Sequence, residues 1–300
     1  VSAQGLERSR RVALVDRETG GVATMYTLYG ALGSPYSQKI RALLRYRRLP
    51  FIWVDEGARR QAALASVKAP VIPVLEYPDG SFANDSTPLV YDLEARHAPR
   101  GVVPPDPAQA FIAHLLEDFA DEWLTKAMFG YRWLEEVDQV QMSRWLAFDT
   151  AKGGGLEQSQ KFAEMFRARQ VGRMALVGCT AANFPLIEAS TRAVLAALEA
   201  HVVERFCLFG TRPSLAEFSI FGQLSQLGLV FIRGRSRRQL RGQGGQFFSG
   251  LYPRPLIRGT GEDAGHCARQ GGPELFPVGP EVVLQHGFNR SVPGHAADKF

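Results

Sequence analysis

The chain has few cysteines, and their spacing argues against two kinds of site. Only three occur in 300 residues, at Cys179, Cys207 and Cys267. None forms the Cys-x-x-Cys pair that is typical of zinc sites and dithiol redox centres, and the six histidines are scattered. Isolated thiols of this kind are usually inert core residues in a reducing compartment. We therefore expect a protein without a bound metal.

Long apolar runs are also lacking. No run approaches the roughly 18 residues that a membrane-spanning helix needs. Residues 1–24 contain one four-residue apolar run, Val12 to Val15, with charges on both sides, which differs from a secretory signal. We expect a cytoplasmic protein with no membrane partner. Residues 1–24 are predicted to be a disordered N-terminal extension, either a natural arm or a stretch preceding a start at Met25.

The body of the chain lacks a net charge, although the whole chain has a formal charge of +5. Residues 233–300 hold 10 basic and 5 acidic side chains, and the preceding 232 residues hold 25 of each. The positive excess therefore belongs to the C-terminal end. Because a nucleic-acid-binding domain carries a basic patch of its own, we expect no nucleic-acid partner for the main body.

Residues 231–300 are predicted to be an irregular tail rich in arginine and glycine. Helical periodicity ends abruptly after Leu229. One interpretation is a disordered basic tail. The abrupt loss of pattern favours the other, a slip of the reading frame, and an RNA-binding segment is a third and weaker interpretation. In each case we expect no stable fold from residue 233 onward.

Residues 25–98 show the pattern of an α/β domain. Aromatic and β-branched residues predict strands at 25–29 and 51–54. Residues 36–46 between them have apolar side chains at helical spacing, and Pro35 suits the first turn of that helix. The pattern predicts four further elements: a helix at 57–68, strands at 71–76 and 81–84, and a helix from Asp85 or Ser86 to about His97. The order β-α-β-α-β-β-α is that of a thioredoxin-like domain.

A different pattern follows. Residues 99–107 contain four prolines and are predicted to be a stiff linker. Residues 108–230 contain only two prolines and long stretches with helical spacing, which predicts an all-α C-terminal domain. Five helices are predicted, near 108–130, 138–150, 157–177, 184–205 and 213–228.

Five segments together resemble the glutathione S-transferase superfamily, whose members join a thioredoxin-like N-terminal domain to an all-helical C-terminal domain. The resemblance covers about residues 25–230, and the order and spacing of the segments make it specific. The segments are Tyr26-Thr-Leu-Tyr-Gly30, Ser34-Pro-Tyr-Ser-Gln-Lys-Ile-Arg41, Val71-Ile-Pro-Val-Leu75, Asn84-Asp-Ser-Thr-Pro88 and Gly210-Thr-Arg-Pro-Ser-Leu-Ala-Glu-Phe218.

The resemblance implies that glutathione binds as a co-substrate at the corner Ser34-Pro35-Tyr36-Ser37. An anion is favoured there, because free N–H groups and the helix dipole attract negative charge to a helix N-terminus. Ser34 can donate a hydrogen bond to the glutathione sulfur and so favour the thiolate, which is the nucleophile. We predict Ser34 as the catalytic residue, with Tyr36 and Ser37 as alternatives and as glutathione-binding residues. A simple turn or cap role for Ser34 remains the other interpretation.

The corner also resembles that of glutaredoxins, which carry Cys-Pro-Tyr-Cys in the same place. Both cysteine positions are serine in this chain, at Ser34 and Ser37. Hydroxyls cannot run a disulfide relay, so we do not expect thiol–disulfide exchange.

Two further segments have roles implied by the resemblance. Pro73 matches a cis-proline that leaves the backbone of the preceding residue, here Ile72, free to pair with the glutathione backbone. Asp85 and Ser86 match an acidic-serine pair that holds the γ-glutamyl end of glutathione. A helix N-terminus suits the carboxylate, and Asp85 suits the ammonium.

The predicted function is therefore that of a glutathione transferase, in which the thiolate attacks a small apolar electrophile. Candidates for the electrophile pocket are Met128, Phe129, Tyr131 and Trp133, although aromatic residues at helical spacing more often form core. The alternative is a non-catalytic binding or scaffold protein with the same fold. The homodimer that is usual in the family suits either function.

Overall fold

The structure is a computed structural model that describes residues 25–151, 155–233 and 281–282. The predicted extension at residues 1–24 and most of the predicted tail lie outside this range. The described residues form five strands, nine α-helices and one π-helical segment. The strands are β1 (Tyr26–Tyr29), β2 (Phe51–Val54), β3 (Val74–Glu76), β4 (Phe82–Asn84) and β5 (Glu281–Val282); the helices are α1 (Pro35–Tyr46), α2 (Gly57–Leu64), α3 (Ser86–Arg96), α4 (Pro107–Asp118), α5 (Thr125–Trp133), α6 (Glu136–Ala151), α7 (Leu156–Gly172), α8 (Phe184–Glu204) and α9 (Leu215–Arg233).

The strands form one sheet in the order β4-β3-β1-β2-β5. β1 and β2 are parallel, with Tyr26 opposite Phe51, because α1 provides the crossover between them. β3 and β4 continue the sheet as an antiparallel hairpin. This arrangement is the predicted thioredoxin-like one. β5 pairs with the other edge of β2 and is regular structure within a segment for which we expected none.

The sheet elements differ from the predicted ranges at one informative place. β3 begins at Val74, whereas the sequence predicted a strand from Val71. The two prolines of this segment, Pro70 and Pro73, lack the N–H that a sheet ladder requires, so residues 70–73 stay outside the strand. The backbone of residues 70–73 is therefore not used by the sheet ladder and is available for other contacts.

The helical region departs from the predicted pattern between α4 and α5. A single helix was predicted near 108–130, but residues Phe119–Leu124 form a π-helical segment between two α-helices. Such wider turns occur frequently at functional sites. Another difference is the end of α7 at Gly172 rather than near 177. Glycine ends helices readily because it gains most conformational freedom outside them.

Two apolar cores meet along α9. One core lies between the sheet and helices α1 and α3, and it receives Leu215 and Phe218 from the first turns of α9. The other lies among the C-terminal helices and receives Ile220, Leu224 and Leu227 from the same helix. Among the described residues, no helix is long and apolar enough to cross a membrane.

Candidate functional site

A cleft of about 590 Å³ separates the thioredoxin-like part from helices α5, α6 and α7. One wall consists of Ser34, Pro35 and Tyr36 at the start of α1, together with residues 70–72. The opposite wall is mostly aromatic and cationic. Clefts of this size, with apolar walls and a few polar groups, are typical of small-molecule sites. Within the described part of the chain, no group of histidine, cysteine and carboxylate side chains is arranged to hold a metal ion.

Ser34 lies at the N-cap of α1 and lines the cleft. Its Oγ accepts a hydrogen bond of 3.2 Å from the backbone N–H of Ser37, which is the usual capping contact. A hydroxyl has one proton to donate beside its lone pairs. The capping contact uses a lone pair, so the proton remains available for a group in the cleft. The cap role and the proposed donor role are therefore compatible.

Tyr36 and Ser37 are placed differently from Ser34. Tyr36 lines the cleft, but its hydroxyl donates a 2.9 Å hydrogen bond to the backbone oxygen of Asp121. Ser37 is fully buried, and its Oγ accepts a long hydrogen bond from the N–H of Ala31. The sequence suggested that Ser37 contacts a ligand directly, and this prediction is corrected here. The buried Ser37 side chain supports the corner from beneath. Of the three residues, Ser34 is the one that lines the cleft and whose hydroxyl donates to no acceptor among the described residues.

The peptide bond between Ile72 and Pro73 is cis, as the resemblance implied. Ile72 lines the cleft opposite the aromatic wall, while Pro73 is buried behind it. The backbone of Ile72 lies outside β3 and pairs with no strand of the described sheet. It is therefore the part of this segment that a ligand backbone can reach.

Asp85 and Ser86 begin α3. Asp85 is exposed and has a positive φ of 74°, a conformation that is uncommon for residues other than glycine. Ser86 is buried, and its Oγ accepts a 3.3 Å hydrogen bond from Nζ of Lys39. The Ser86 hydroxyl is thus held by Lys39, which leaves its backbone N–H at the helix start as the group suited to a carboxylate. Neither residue lines the main cleft.

Lys39 is the centre of a buried ion cluster that the sequence did not reveal. Its Nζ contacts Oε1 of Glu117 at 2.5 Å and Oδ2 of Asp121 at 2.7 Å, and all three side chains are almost completely buried. Burial raises the pKa of Asp121, and the positive charge of Lys39 opposes this rise. The second oxygen of Asp121, Oδ1, is buried without a hydrogen-bond partner in the described residues. Asp121 also lines the cleft.

Arg132 is a second buried cation that pattern reasoning missed. It donates 2.8 Å and 2.6 Å hydrogen bonds to the backbone oxygen of Gly33 and to Oε1 of Gln226. Burial lowers the pKa of Arg132. The contact with Gly33 holds the residue next to Ser34 from the opposite side of the cleft. A charged residue between apolar helix positions is the only sequence signal for such a role, and surface arginines give the same signal.

Three of the four residues predicted to form an electrophile pocket line the cleft. Met128, Phe129 and Trp133 line the cleft. Tyr131, the fourth candidate, instead packs edge-to-face on Phe184 at 5.0 Å between ring centroids. The residues that sequence reasoning missed on the same wall are Phe162, Phe166, Arg169 and Arg173 of α7 and its C-cap.

The sheet has the thioredoxin-like order, and a polar and aromatic cleft lies between it and the helical region. These two features define the class of fold. Residues 28–101 match the family model described as the glutathione S-transferase N-terminal domain. A solved glutathione S-transferase from Rhodospirillum rubrum F11 is 18% identical, with a TM-score of 0.51, over 78% of this chain and 90% of that chain. A solved glutathione S-transferase from Methylobacterium radiotolerans, in complex with glutathione sulfonate, is 20% identical, with a TM-score of 0.45, over 78% and 92%.

No curated protein matches the chain. The family model covers β2 to β4, the end of β1 and helices α1 to α3, and the similarity to the Rhodospirillum structure extends the same fold to the helical region. Residues 28–101 therefore match the glutathione S-transferase N-terminal domain, and the described chain has the fold of these proteins, which confirms the predicted resemblance and fold class.

Proposed function

We propose that this protein binds glutathione in the cleft and activates its sulfur as a thiolate that attacks a small electrophile. The observation that carries the proposal is the Ser34 hydroxyl. It sits at the N-terminus of a 12-residue helix, lines the cleft and keeps its proton free while its oxygen caps α1. Match of the N-terminal domain to the glutathione S-transferase family supports glutathione as the ligand.

The energetic requirement is within reach of this corner. A glutathione thiol starts at a pKa near 8.5, and lowering it by about two units needs roughly 2.7 kcal/mol. A hydrogen bond to a charged group supplies about 1.5–3 kcal/mol, and the helix N-terminus adds about 0.3–1 kcal/mol. The thiolate then forms a bond to the electrophilic atom, whose leaving group departs with the electron pair of the broken bond.

The remainder of glutathione is proposed to extend along the thioredoxin-like wall. The backbone of Ile72 would pair with the peptide, and the N–H of Ser86 would hold the γ-glutamyl carboxylate. Asp85 is exposed, so its carboxylate can accept a hydrogen bond from the ammonium group. Pro73 fixes the segment of Ile72 from behind.

We also propose a cytoplasmic homodimer, with domains at residues 25–98 and 108–230 and a linker between them. The outer face of α4 supports an association between copies, because Phe111 and Leu115 are 65% and 52% exposed on it. Apolar side chains that are exposed together mark interaction surfaces.

The test compares three substitutions at Ser34. Ser34→Thr keeps the hydroxyl and the cap, and we expect near-normal activity toward a chlorodinitrobenzene. Ser34→Ala removes both, so we expect kcat/KM to fall roughly tenfold to hundredfold and stability to fall by about 1 kcal/mol. Ser34→Asp restores the cap without a donor and adds a negative charge, so we expect a stable protein with still lower activity.

A purely structural role of Ser34 would leave the pKa of the bound thiol unchanged, so the pH profile distinguishes such a role from hydrogen-bond donation. The pKa of bound glutathione, measured from thiolate absorbance, should rise in Ser34→Ala and rise further in Ser34→Asp. Normal activity and an unchanged thiol pKa in both variants would refute the role of Ser34. Retention on immobilised glutathione without transfer to any electrophile would instead support the non-catalytic alternative.

A further inference from the structure

The cleft-facing side of α7 changes in character along the helix. Phe162 and Phe166 lie on it around the middle of the helix, and Arg169 and the C-cap Arg173 lie on it at the end. The intervals of four, three and four residues place these side chains on one helical face. The wall opposite Ser34 therefore offers rings and then positive charges.

The aromatic half is a continuous surface. Phe162 and Phe166 are stacked with ring centroids 5.7 Å apart and an interplanar angle of 14°. Phe166 meets the edge of Trp133 at 5.9 Å, and Trp133 meets Phe129 at 6.3 Å. Aromatic rings gain most from partners that are also aromatic, in stacked or edge-to-face contacts. This half of the wall suits a flat aromatic ring.

The cationic half is unusual because its charges are not used within the described structure. Arg169 and Arg173 are exposed to the cleft, and neither side chain has a hydrogen bond or an ion pair with a described residue. The other two cations of α7 are paired: Lys161 contacts Glu157 at 2.7 Å, and Arg167 contacts Glu136 at 3.2 Å. The cations of α7 that lack an acidic partner are thus those that line the cleft.

The helix dipole explains part of this arrangement. The negative end of the dipole stabilises cations near a helix C-terminus, whichever way their side chains point. The dipole does not account for both arginines lying on the cleft-facing stripe. On the same wall, Lys126 adds another positive charge and Glu122 one negative charge. The balance of these four charges is positive, and Asp121, which precedes Glu122 in the π-helical segment, is already held by Lys39.

We propose that the second substrate is an aromatic electrophile that carries an anionic group, with the ring on Phe162 and Phe166 and the anion on Arg169 and Arg173. This inference rests on the proposed function. With a rise of about 1.5 Å per residue, Arg169 and Arg173 lie roughly 4.5 Å and 10 Å along the axis from Phe166. A carboxylate attached to a ring spans such a distance, and a guanidinium holds it with two parallel hydrogen bonds.

The matched substrates are a chlorodinitrobenzoate, with its carboxylate para to chlorine, and the corresponding chlorodinitrobenzamide. In both, the glutathione sulfur forms a bond to the ring carbon, the carbon–chlorine bond breaks and chloride leaves with the electron pair. The thiol proton has already passed to solvent. The two substrates have nearly the same size and shape but differ in charge, and division of each kcat/KM by its uncatalysed rate removes the difference in ring reactivity, so the ratio reports recognition of the anion.

We expect the normal protein to favour the benzoate by roughly tenfold, as a charge-assisted contact in a partly exposed cleft allows. The double variant Arg169→Gln/Arg173→Gln should lose this preference through a higher KM for the benzoate. The amide and glutathione should keep their KM values. The control Lys161→Gln/Arg167→Gln removes two cations from the same helix outside the cleft and should keep the preference.

Binding without reaction separates this inference from the proposed catalysis. Dinitrobenzoate and dinitrobenzamide, which lack the leaving group, are titrated calorimetrically into the protein with S-methylglutathione bound. The inference is supported if the normal protein binds the acid more tightly than the amide and the double variant does not. This holds even if no conjugate forms, and in that case only the catalytic proposal fails. Equal affinity for acid and amide overturns the inference. So does a double variant whose only change is weaker binding of glutathione.

Discussion

Replacement of Lys39 by methionine removes the positive charge between two buried carboxylates. Methionine has nearly the same length as lysine and fills the space with apolar atoms. Glu117 and Asp121 then face each other without a cation, at exposures of 1% and 8%. Lys39 lies on α1 of the thioredoxin-like part, and the two carboxylates lie in the helical region. The substitution should therefore weaken the contact between these two parts of the fold.

The expected loss of stability is about 3–5 kcal/mol, which is typical for removal of one partner from a buried ion pair. The loss should depend on pH, because Lys39 holds down the pKa of Asp121, which burial already raises. Without Lys39 this pKa rises further above its unfolded value of about 3.9. An acid whose folded pKa is raised destabilises the fold only when ionised. The penalty is therefore absent below the unfolded pKa, grows as pH rises from that value to the folded pKa, and is complete above the folded pKa.

Urea unfolding, followed by circular dichroism, should thus show a larger loss for Lys39→Met near pH 8 than near pH 5. Adding Asp121→Asn should return much of the stability, since one of the two unpaired carboxylates is then neutral. The control is Lys161→Met, whose contact with Glu157 has the same 2.7 Å length but lies in solvent, and which should cost less than about 0.5 kcal/mol. A loss below about 1 kcal/mol for Lys39→Met that does not change with pH would refute the reasoning.

Two more stability predictions concern the junction of the helices with the sheet domain. Arg132→Met should cost about 2–4 kcal/mol in urea unfolding, because two acceptors lose a charged donor inside the protein; a loss within error would contradict this. Gly222→Ala should cost about 1–3 kcal/mol, since its new Cβ would lie 2.5 Å from the backbone oxygen of Pro35. Gly172→Ala meets nothing within 4 Å and should not destabilise the protein, and an equal loss at both glycines would show that packing is not the cause.

The elements of the thioredoxin-like part could be predicted because their signals are local. The strand Phe51–Val54 was predicted with its observed bounds, and α1 within one residue. The capping box at the start of α9 is equally local: Glu217 accepts hydrogen bonds from both the N–H and the hydroxyl of Ser214. Each of these features needs only a few neighbouring residues.

The site could be predicted only where it coincides with such a local feature. Ser34 is recognisable because a helix begins there. Lys39 carried no signal, since a lysine within an amphipathic helix is ordinarily exposed, and its partners are 78 and 82 residues away. The π-helical segment that contains Asp121 was likewise missed, because its residues continue the helical pattern of both neighbours.

The long-range contacts that the sequence did not predict meet at the corner Ser34-Pro35-Tyr36-Ser37, which it did predict. Arg132 holds the carbonyl of Gly33, 99 residues away, and Tyr36 holds the carbonyl of Asp121, 85 residues away. Ser34 lies between these two anchors. A hydroxyl that must meet a sulfur at hydrogen-bond distance tolerates little displacement, so positioning by the helical domain belongs to the activation that we propose. The local sequence supplies the donor at Ser34, and contacts from distant helices fix where that donor stands.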